Sequence, residues 1–204
     1  MHVPSQFRED DTQKLQQYIN DYSFGLFIVA DEQGIEATHV PFCLCSNGSG
    51  SPGVLQCHLA RSNPVWKRLQ NGANVLAVFQ GPDAYVSPSW YPSKAETGRV
   101  VPTWNYLAVH AEGHANLIED ATWLKEHLHQ LTDRHESGRQ QPWSVDDAPA
   151  DYTERLIKGI VGVEITIEKL TGKLKASQNQ TESNRAGVKQ GLADEGAAMA
   201  ELIS

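Results

Sequence analysis

Residues 58–64 have the residue types of an anion-binding turn. They join the end of a predicted strand to the start of a predicted helix, and they include Arg61, Ser62 and Asn63. A helix N-terminus presents free amides and the positive end of the helix dipole, to which the arginine and the serine add a charge and a hydroxyl. The segment therefore predicts a site for one phosphate-sized anion. The alternative is an ordinary helix cap beside a surface arginine.

Two further segments, residues 81–91 and 101–106, mix aromatic side chains with polar ones. They contain three tyrosines and two of the five tryptophans, among serine, threonine, asparagine and proline residues. Prolines fix the backbone, so the polar side chains are presented rigidly. Flat aromatic faces beside amide and hydroxyl groups suit a planar heterocycle, which stacking holds and hydrogen bonds orient. Aromatic packing at a barrel end or a dimer interface is the alternative interpretation.

A fourth segment, residues 172–179, places two lysines and three polar side chains after the last predicted strand. It can reach a phosphate or a ring edge in the same chain or in a partner subunit, and a solvated strand exit is the alternative. The histidines and cysteines are weaker signals. Cys43 and Cys45 lack a second pair of ligands, and no HExxH or GxSxG sequence occurs. We therefore predict no metal site, reduced packing cysteines and no assigned catalytic residue.

Charge and hydropathy restrict the possible functions. The 204 residues include 17 Lys+Arg and 25 Asp+Glu, which gives a formal net charge of −8. This charge opposes the counterion release that drives DNA affinity, so we expect no direct nucleic-acid binding. The apolar runs are far shorter than the roughly 20 residues of a membrane helix. The first residues also lack the basic and apolar regions of a signal peptide, so we expect a cytoplasmic protein.

The hydrophobic periodicity predicts the elements that must position these segments. The predicted helices cover residues 11–22, 64–69, 120–136 and 151–158, with a further helical stretch at 193–203. The predicted strands cover residues 24–30, 35–45, 54–59, 74–80, 84–87 and 161–168, and residues 104–118 form one strand or two. Residues 47–53 and 92–100 are predicted loops. Six or more strands with helices at the ends indicate an α+β protein around an antiparallel sheet or barrel.

Taken in order, these segments resemble the PaiB family. The residues that carry the resemblance are MHVP at 1–4 with Phe7, THVPF at 38–42, HLARSNP at 58–64, YVSPSWY at 85–91, VPTWNY at 101–106, PW at 142–143, IVG at 160–162 and KASQN at 175–179. The resemblance spans nearly the whole chain. The chain departs from the family pattern at Ala176, where leucine is usual, at Gln180, which replaces a common arginine, and at residues 183–184.

The resemblance implies an FMN-binding split β-barrel with peripheral helices. This domain would cover residues 1–176, and a polar and then helical tail would cover residues 177–204. The resemblance also implies a homodimer with flavin sites between subunits. The implied function is that of a negative transcriptional regulator or a flavin-dependent sensor. An FMN-dependent oxidoreductase acting on a small molecule and a haem-binding or haem-handling protein stay open as alternatives.

The family pattern also implies three sets of cofactor-binding residues. The phosphate set is Arg61, Ser62 and Asn63, and His58, which adjoins this segment, is a further candidate cofactor-binding residue. The ring set, which would line the ribityl chain and the ring and form a wall, is Ser87, Trp90, Tyr91, Thr103, Trp104 and Asn105. The strand-exit set, which would complete the site from the partner chain, is Lys175, Ser177, Gln178 and Asn179.

Overall fold

Eight strands and five α-helices form the part of the chain that this computed structural model describes, residues 1–45 and 52–204. The strands are β1 (Arg8–Glu9), β2 (Phe24–Asp31), β3 (Gly34–Pro41), β4 (Cys43–Cys45), β5 (Val54–Ala60), β6 (Ala73–Val86), β7 (Thr103–Ile118) and β8 (Ile160–Lys175). The α-helices are α1 (Thr12–Asp21), α2 (Ser93–Thr97), α3 (Ala121–Glu136), α4 (Ala150–Ile157) and α5 (Glu182–Asp194). Short 3-10 helices cover Ser5–Phe7, Pro64–Leu69, Pro88–Trp90, Val145–Asp147 and Ala198–Leu202. The predicted loop over residues 47–53 lies mostly outside the described residues.

The strands form an antiparallel sheet in the order β3-β2-β6-β7-β8-β5-β4, and β1 pairs with β8. On β8 the predicted period-2 pattern is confirmed, because Val161, Val163, Ile165 and Ile167 are all buried. β5 lies beside β8 with His58 opposite Gly162. An antiparallel sheet with helices outside it confirms the predicted α+β class.

Two compact units can be distinguished along the chain. The terminal unit consists of Met1–Leu15, Gln80–His110 and Thr171–Ser204, and the central unit consists of Gln16–Phe79 and Ala111–Leu170. The terminal unit contains the ring set and the strand-exit set, and the central unit contains the phosphate set.

The core of the terminal unit includes the end of the chain. Val188 and Leu192 of α5 are fully buried in one cluster with Val86, Tyr91 and Met199. The predicted helical stretch over residues 193–203 contains the 3-10 helix Ala198–Leu202, while the α-helix of this segment lies before it, at Glu182–Asp194. Thr181 begins the helix by accepting a hydrogen bond from the Asn184 amide. Most residues of α5 are polar, so the two apolar residues 188 and 192, four positions apart, did not stand out as a helical pattern in the sequence.

In the central unit, α3 begins at a side-chain cap and packs on the sheet. The Asp120 carboxylate accepts a hydrogen bond from the Trp123 amide at 2.7 Å, as expected of an N-cap. Trp123 packs so closely over Gly162 of β8 that a Cβ built on this glycine would lie 2.3 Å from the indole ring. A glycine at position 162 is therefore what lets this helix approach the sheet.

Several predicted boundaries differ from the structure. The predicted loop over residues 92–100 contains α2, which ends at Gly98 with a φ of +63°. The two predicted strands at residues 74–80 and 84–87 are the single long strand β6, and residues 104–118 lie in one strand. The single predicted strand over residues 35–45 is divided at Phe42 into β3 and β4. Within the described residues, we find no helix that combines the length and apolar character needed to cross a membrane.

Candidate functional site

In the central unit, Arg61 follows the end of β5 and is held by two backbone contacts. Its Nε donates to the Lys158 carbonyl oxygen at 3.1 Å, and its own backbone N–H donates to the Gly159 carbonyl at 2.8 Å. Its Nη2 lies 2.9 Å from Glu119 Oε1, and the Arg61 side chain is 36% exposed. These contacts fix the cation at the surface, where an anion can reach it.

Asn63 shapes the turn after Arg61. Its Oδ1 accepts a hydrogen bond from the Val65 amide at 3.0 Å, which confirms the predicted cap, and its Nδ2 donates to Thr38 Oγ1 at 3.3 Å. The helix that follows, Pro64–Leu69, is a 3-10 helix whose first residue is a proline. Because proline has no N–H and the Val65 amide is already capped, this helix offers fewer free amides than the sequence suggested. Anion binding at this turn therefore depends on the side chains of Arg61 and the exposed Ser62.

His58 shares a hydrogen bond with a histidine of α3. Its Nδ1 lies 3.1 Å from His127 Nε2, and the His127 ring stacks on Trp123 with centroids 5.3 Å apart. Burial lowers the pKa of His58, and burial together with the nearby His58 lowers the pKa of His127 to about 4. Both rings are therefore neutral near pH 7 and connect β5 to α3. In the described part of the chain, no three histidine, cysteine or acidic side chains group as metal ligands.

In the terminal unit, Lys175 lies at the end of β8 beside a cavity of about 280 Å³. Phe7, Tyr91, Thr103 and Ser177 are among the other residues that line this cavity. Lys175 Nζ donates a hydrogen bond to Thr103 Oγ1 and lies 5.9 Å from the centroid of the Phe7 ring. Burial lowers the pKa of Lys175, Tyr106 opposes that shift, and Lys173 adds to it. The cavity thus presents a cation against an aromatic wall.

Ser177 and its neighbours form a tightly bonded turn beside the same cavity. Ser177 is 2% exposed, and its φ of +63° lies in the left-handed region that favours glycine. Its Oγ accepts a hydrogen bond at 2.8 Å from Nδ2 of the fully buried Asn105. Both amide atoms of Gln178 bond the local backbone at 2.7 Å, Oε1 to the Ala176 N–H and Nε2 to the Leu174 carbonyl. Among the described residues, Asn105 Oδ1 is buried with no hydrogen-bond partner.

The remaining ring-set residues differ in exposure. Ser87 caps the 3-10 helix Pro88–Trp90 by accepting a hydrogen bond from the Ser89 amide at 3.2 Å. Trp90 packs on α5, where a Cβ on Gly191 would lie 2.4 Å from its ring. Tyr91 is buried against the cavity, and this burial raises the pKa of its phenol. Trp104 is 54% exposed and meets Tyr85 edge to face at a centroid distance of 6.0 Å.

The structure brings six predicted residues of the terminal unit together. These are Tyr91, Thr103, Asn105, Lys175, Ser177 and Asn179, which line the cavity or bond directly to a residue that does. Sequence reasoning missed the cavity residue Gln6, and it missed Glu119 and Lys158 as the residues that hold Arg61. No local signal could reveal these two, because they contact Arg61 from positions far along the chain.

Comparisons with known proteins bear on the cofactor. A family model described as "Putative FMN-binding domain" matches residues 1–169. A protein of Emericella nidulans is 35% identical over 238 residues, covering 100% of this chain and 95% of that protein. The "Protease synthase and sporulation protein PAI 2" of Bacillus subtilis is 33% identical over 195 residues, covering 96% of this chain and 90% of that protein.

A solved structure shares the fold at low sequence identity. The FAD and haem binding protein of Mycobacterium smegmatis matches with a TM-score of 0.58 and 14% identity, over 88% of this chain and 78% of that one. The antiparallel sheet with outer helices therefore has the fold of the flavin-binding split barrels, as the sequence resemblance implied.

The residues of the terminal unit fit an FMN group. A flavin ring and its ribityl chain carry several acceptor oxygens, and the cavity offers the Lys175 ammonium and the Ser177 hydroxyl as donors. Asn105 Oδ1 is buried without a hydrogen-bond partner in the described part of the chain, and such unsatisfied polar atoms often occur at binding sites. Ligand pockets usually measure about 300–1,000 Å³. At about 280 Å³, this cavity has room for only part of an FMN molecule.

Proposed function

The chain belongs to the PaiB family and its cofactor is FMN, and we propose that it acts as a flavin-dependent sensor and negative transcriptional regulator. FMN supplies one- and two-electron redox chemistry when it is bound. The protein residues bind the cofactor, orient it and set the charge around it. The cavity beside Lys175 is the observation that carries this proposal, because it combines a held cation, a buried hydroxyl and an aromatic wall.

We assign the phosphate set to the terminal phosphate of FMN. Arg61 and Ser62 supply the charge and the hydroxyl, and Asn63 holds the turn through its bonds to Val65 and Thr38. A guanidinium binds phosphate oxygens in the geometry in which it binds a carboxylate, so the phosphate would replace Glu119 at Arg61. His58 supports the strand that carries this turn.

We assign the ring set and the strand-exit set to the ring and the ribityl chain. Lys175 and Ser177 donate hydrogen bonds to the flavin, and Thr103 and Asn105 of β7 bond to them. Trp104 lies between Thr103 and Asn105 on β7 with its ring exposed. The wall consists of Ser87, Trp90 and Tyr91, which α5 holds through its close contact with Trp90. Asn179 contributes from the cavity rim, and Gln178 contributes through the backbone bonds that shape the turn.

Exposed apolar side chains support a homodimer with flavin sites at the subunit interface. In the terminal unit, Tyr85 is 47% exposed, Trp104 is 54% exposed and Val101, which also lines the cavity, is 73% exposed. Aromatic residues are enriched in protein interfaces and depleted from freely solvated surface. A second copy over this patch would cover it and would enclose the part of the cofactor that the cavity leaves outside. Light scattering should give twice the mass of the chain, and a monomer at all concentrations would contradict the dimer.

The net charge of −8 favours regulation without direct DNA contact. The redox state or occupancy of FMN would then be read by a partner protein. The three free thiols, Cys43, Cys45 and Cys57, support a cytoplasmic location. Promoter DNA mixed with the pure protein should show no salt-dependent shift, and such a shift would overturn the indirect route.

The visible spectrum of the purified protein tests the proposal. FMN should bind, with quenched flavin fluorescence and perturbed absorption bands, and reduction of the bound flavin should change the protein's capture of its partners from a native lysate. Riboflavin serves as the matched ligand, because it lacks only the phosphate. A protein that neither contains nor binds FMN would overturn the cofactor assignment, and unchanged partner capture on reduction would overturn the sensor.

A second candidate, an FMN-dependent oxidoreductase, is favoured by one observation. Lys175 faces the cavity with a pKa lowered by burial, so its ammonium can give up a proton more readily than a surface lysine. Under this alternative, NAD(P)H would bleach the flavin and an added small-molecule acceptor would restore it in repeated turnovers. A bound flavin that is inert to these reductants would leave the sensor as the better account. Titration of the protein with haem tests the haem-handling alternative, and the absence of a Soret band from bound haem would exclude that alternative.

A further inference from the structure

Two features of the Ser177 turn are unfavourable for stability in the absence of a ligand. Ser177 has a left-handed φ of +63°, which favours glycine over any residue with a Cβ. Asn105 Oδ1 is buried and has no partner among the described residues. Backbone strain and unsatisfied polar groups cluster at sites where function requires them. Their occurrence in Ser177 and in Asn105, which bonds to Ser177 from β7, indicates that this part of the cavity wall serves the bound cofactor.

The Gln178 side chain holds the backbone that leads into the strained Ser177. Gln178 accepts from the Ala176 N–H before Ser177 and donates to the Leu174 carbonyl, both at 2.7 Å. Since both amide atoms are engaged, Gln178 has no free donor for a ligand other than its second N–H. Its role in this geometry is to close the turn that carries Ser177.

The direction of the Asn105 hydrogen bond decides where the Ser177 proton points. Asn105 Nδ2 is a donor, so Ser177 Oγ must act as the acceptor of that 2.8 Å bond. The hydroxyl proton of Ser177 is therefore free for another acceptor. Ser177 and Lys175 line the same cavity, so the hydroxyl and the ammonium form a pair of donors there.

We propose that Asn105 and Gln178 are positioning residues, which present the Ser177 hydroxyl with the Lys175 ammonium to an acceptor oxygen of the flavin ring. This inference rests on the proposed function, because it requires the ring of FMN in this cavity. The carbonyl oxygens of a flavin gain negative charge when the ring is reduced. Fixed donors beside them stabilise the reduced form more than the oxidised form, so the pair raises the midpoint potential of bound FMN.

A double-mutant cycle on FMN affinity tests whether Asn105 acts through Ser177. Asn105→Leu and Ser177→Ala should each weaken FMN binding by about tenfold, the size of one lost hydrogen bond. The double variant should be no weaker than either single variant, because both changes remove the same interaction. The midpoint potential of bound FMN should fall in all three. Ser137→Ala, which removes an exposed hydroxyl at the end of α3, is the control and should change neither quantity.

Thermal unfolding without flavin separates this role from a structural one. Asn105→Leu removes the unsatisfied Oδ1 but also the bond to Ser177 Oγ, two effects of opposite sign, so its melting temperature should stay close to that of the parent chain while its FMN affinity falls. The positioning role would be overturned by additive losses in the double variant, by an unchanged midpoint potential, or by affinities that follow the melting temperatures. Failure of the parent chain to bind FMN would instead overturn the proposed function, and this inference with it.

Discussion

The turn at Arg61 and the turn at Ser177 differ in exposure and in how far the protein satisfies their polar groups. At Arg61 the guanidinium is partly exposed and already bonded to Lys158 and Glu119, so the protein satisfies it before any ligand arrives. At Ser177 the groups are buried, the backbone is left-handed and the neighbouring Asn105 Oδ1 lacks a partner among the described residues. The first turn can exchange one anion for another at little cost. The turn at Ser177 has its groups in position before a ligand binds, and its left-handed backbone and the Asn105 Oδ1 that the described residues leave unpaired lower the stability of the fold.

This difference predicts which part of the flavin each turn controls. An exposed ion pair contributes about 0–1 kcal/mol, so Glu119 is a weak competitor for an incoming phosphate. Buried donors act in a lower dielectric and contribute more to orientation and to redox potential. Changes at Arg61 should therefore separate FMN from riboflavin, and changes in the terminal unit should affect both ligands equally.

The largest expected effect concerns the histidine pair near the Arg61 turn. The folded-state pKa of His127 is about 4, below the ordinary value of 6.5, because of burial and the nearby His58. The unfolded chain therefore binds the proton first as the pH falls. Stability is complete above pH 6.5, falls as the pH drops towards 4, and the total loss is about 3 kcal/mol.

Denaturant unfolding at pH 7.5, 6, 5 and 4.5 measures this loss. His127→Phe keeps a flat ring on Trp123 and should flatten the pH dependence. An equally steep loss in this variant would show that other groups cause the acid sensitivity.

The next effect in size separates the phosphate from the ring. Arg61→Gln removes the cation and should weaken FMN binding by about 30-fold, within the roughly 1.5–3 kcal/mol of a hydrogen bond to a charged group. Riboflavin affinity should stay unchanged, since this ligand has no phosphate. Arg68→Gln is the matched control, because Arg68 lies in the neighbouring 3-10 helix and pairs with Asp31 of β2. Equal losses for both ligands would contradict the phosphate assignment.

A change at Lys175 should affect the two ligands alike. Lys175→Met keeps the aliphatic stem and removes the ammonium, so FMN and riboflavin should each bind about tenfold less tightly. The midpoint potential of the bound flavin should fall, as measured by redox titration. Lys173→Met is the control, because Lys173 lies over Tyr106 and does not line the cavity. A loss confined to FMN would place the phosphate at Lys175 and reverse the two assignments.

The smallest expected effect is a gain in FMN affinity. Glu119→Gln removes the carboxylate that occupies Arg61 and should tighten FMN binding by about twofold to fivefold at low salt. Added salt should reduce the gain, and riboflavin affinity should not change. Isothermal titration at two ionic strengths measures both quantities, and weaker FMN binding in this variant would show that Glu119 supports the site.

Local patterns predicted much of the fold. The alternation in β8, the apolar stripe of α1 and the cap at Asn63 were confirmed because each depends on neighbours within a few residues. The family motifs, by contrast, implied which residues bind the cofactor without showing the contacts of those residues. Sequence reasoning treated Gln178 as a ligand residue, and only the three-dimensional turn shows both ends of its amide bonded to the backbone.

The remaining differences arise from long-range packing. Helix α5 has a polar sequence, and its position follows from burial of residues 188 and 192 and from glycines that accept Trp90. The partners of Arg61 come from the start of α3 and the end of α4, at separations that no spacing rule covers. The left-handed backbone at Ser177 is likewise a property of the folded turn.

The most direct test of the account is a parallel titration of the purified protein with FMN and riboflavin. We expect both flavins to bind, FMN to bind at least tenfold more tightly because of its phosphate, and Arg61→Gln to remove this advantage. Binding of neither flavin would contradict the cofactor. Equal affinities for FMN and riboflavin in the unaltered chain would contradict the division of the flavin between the Arg61 turn and the Ser177 turn.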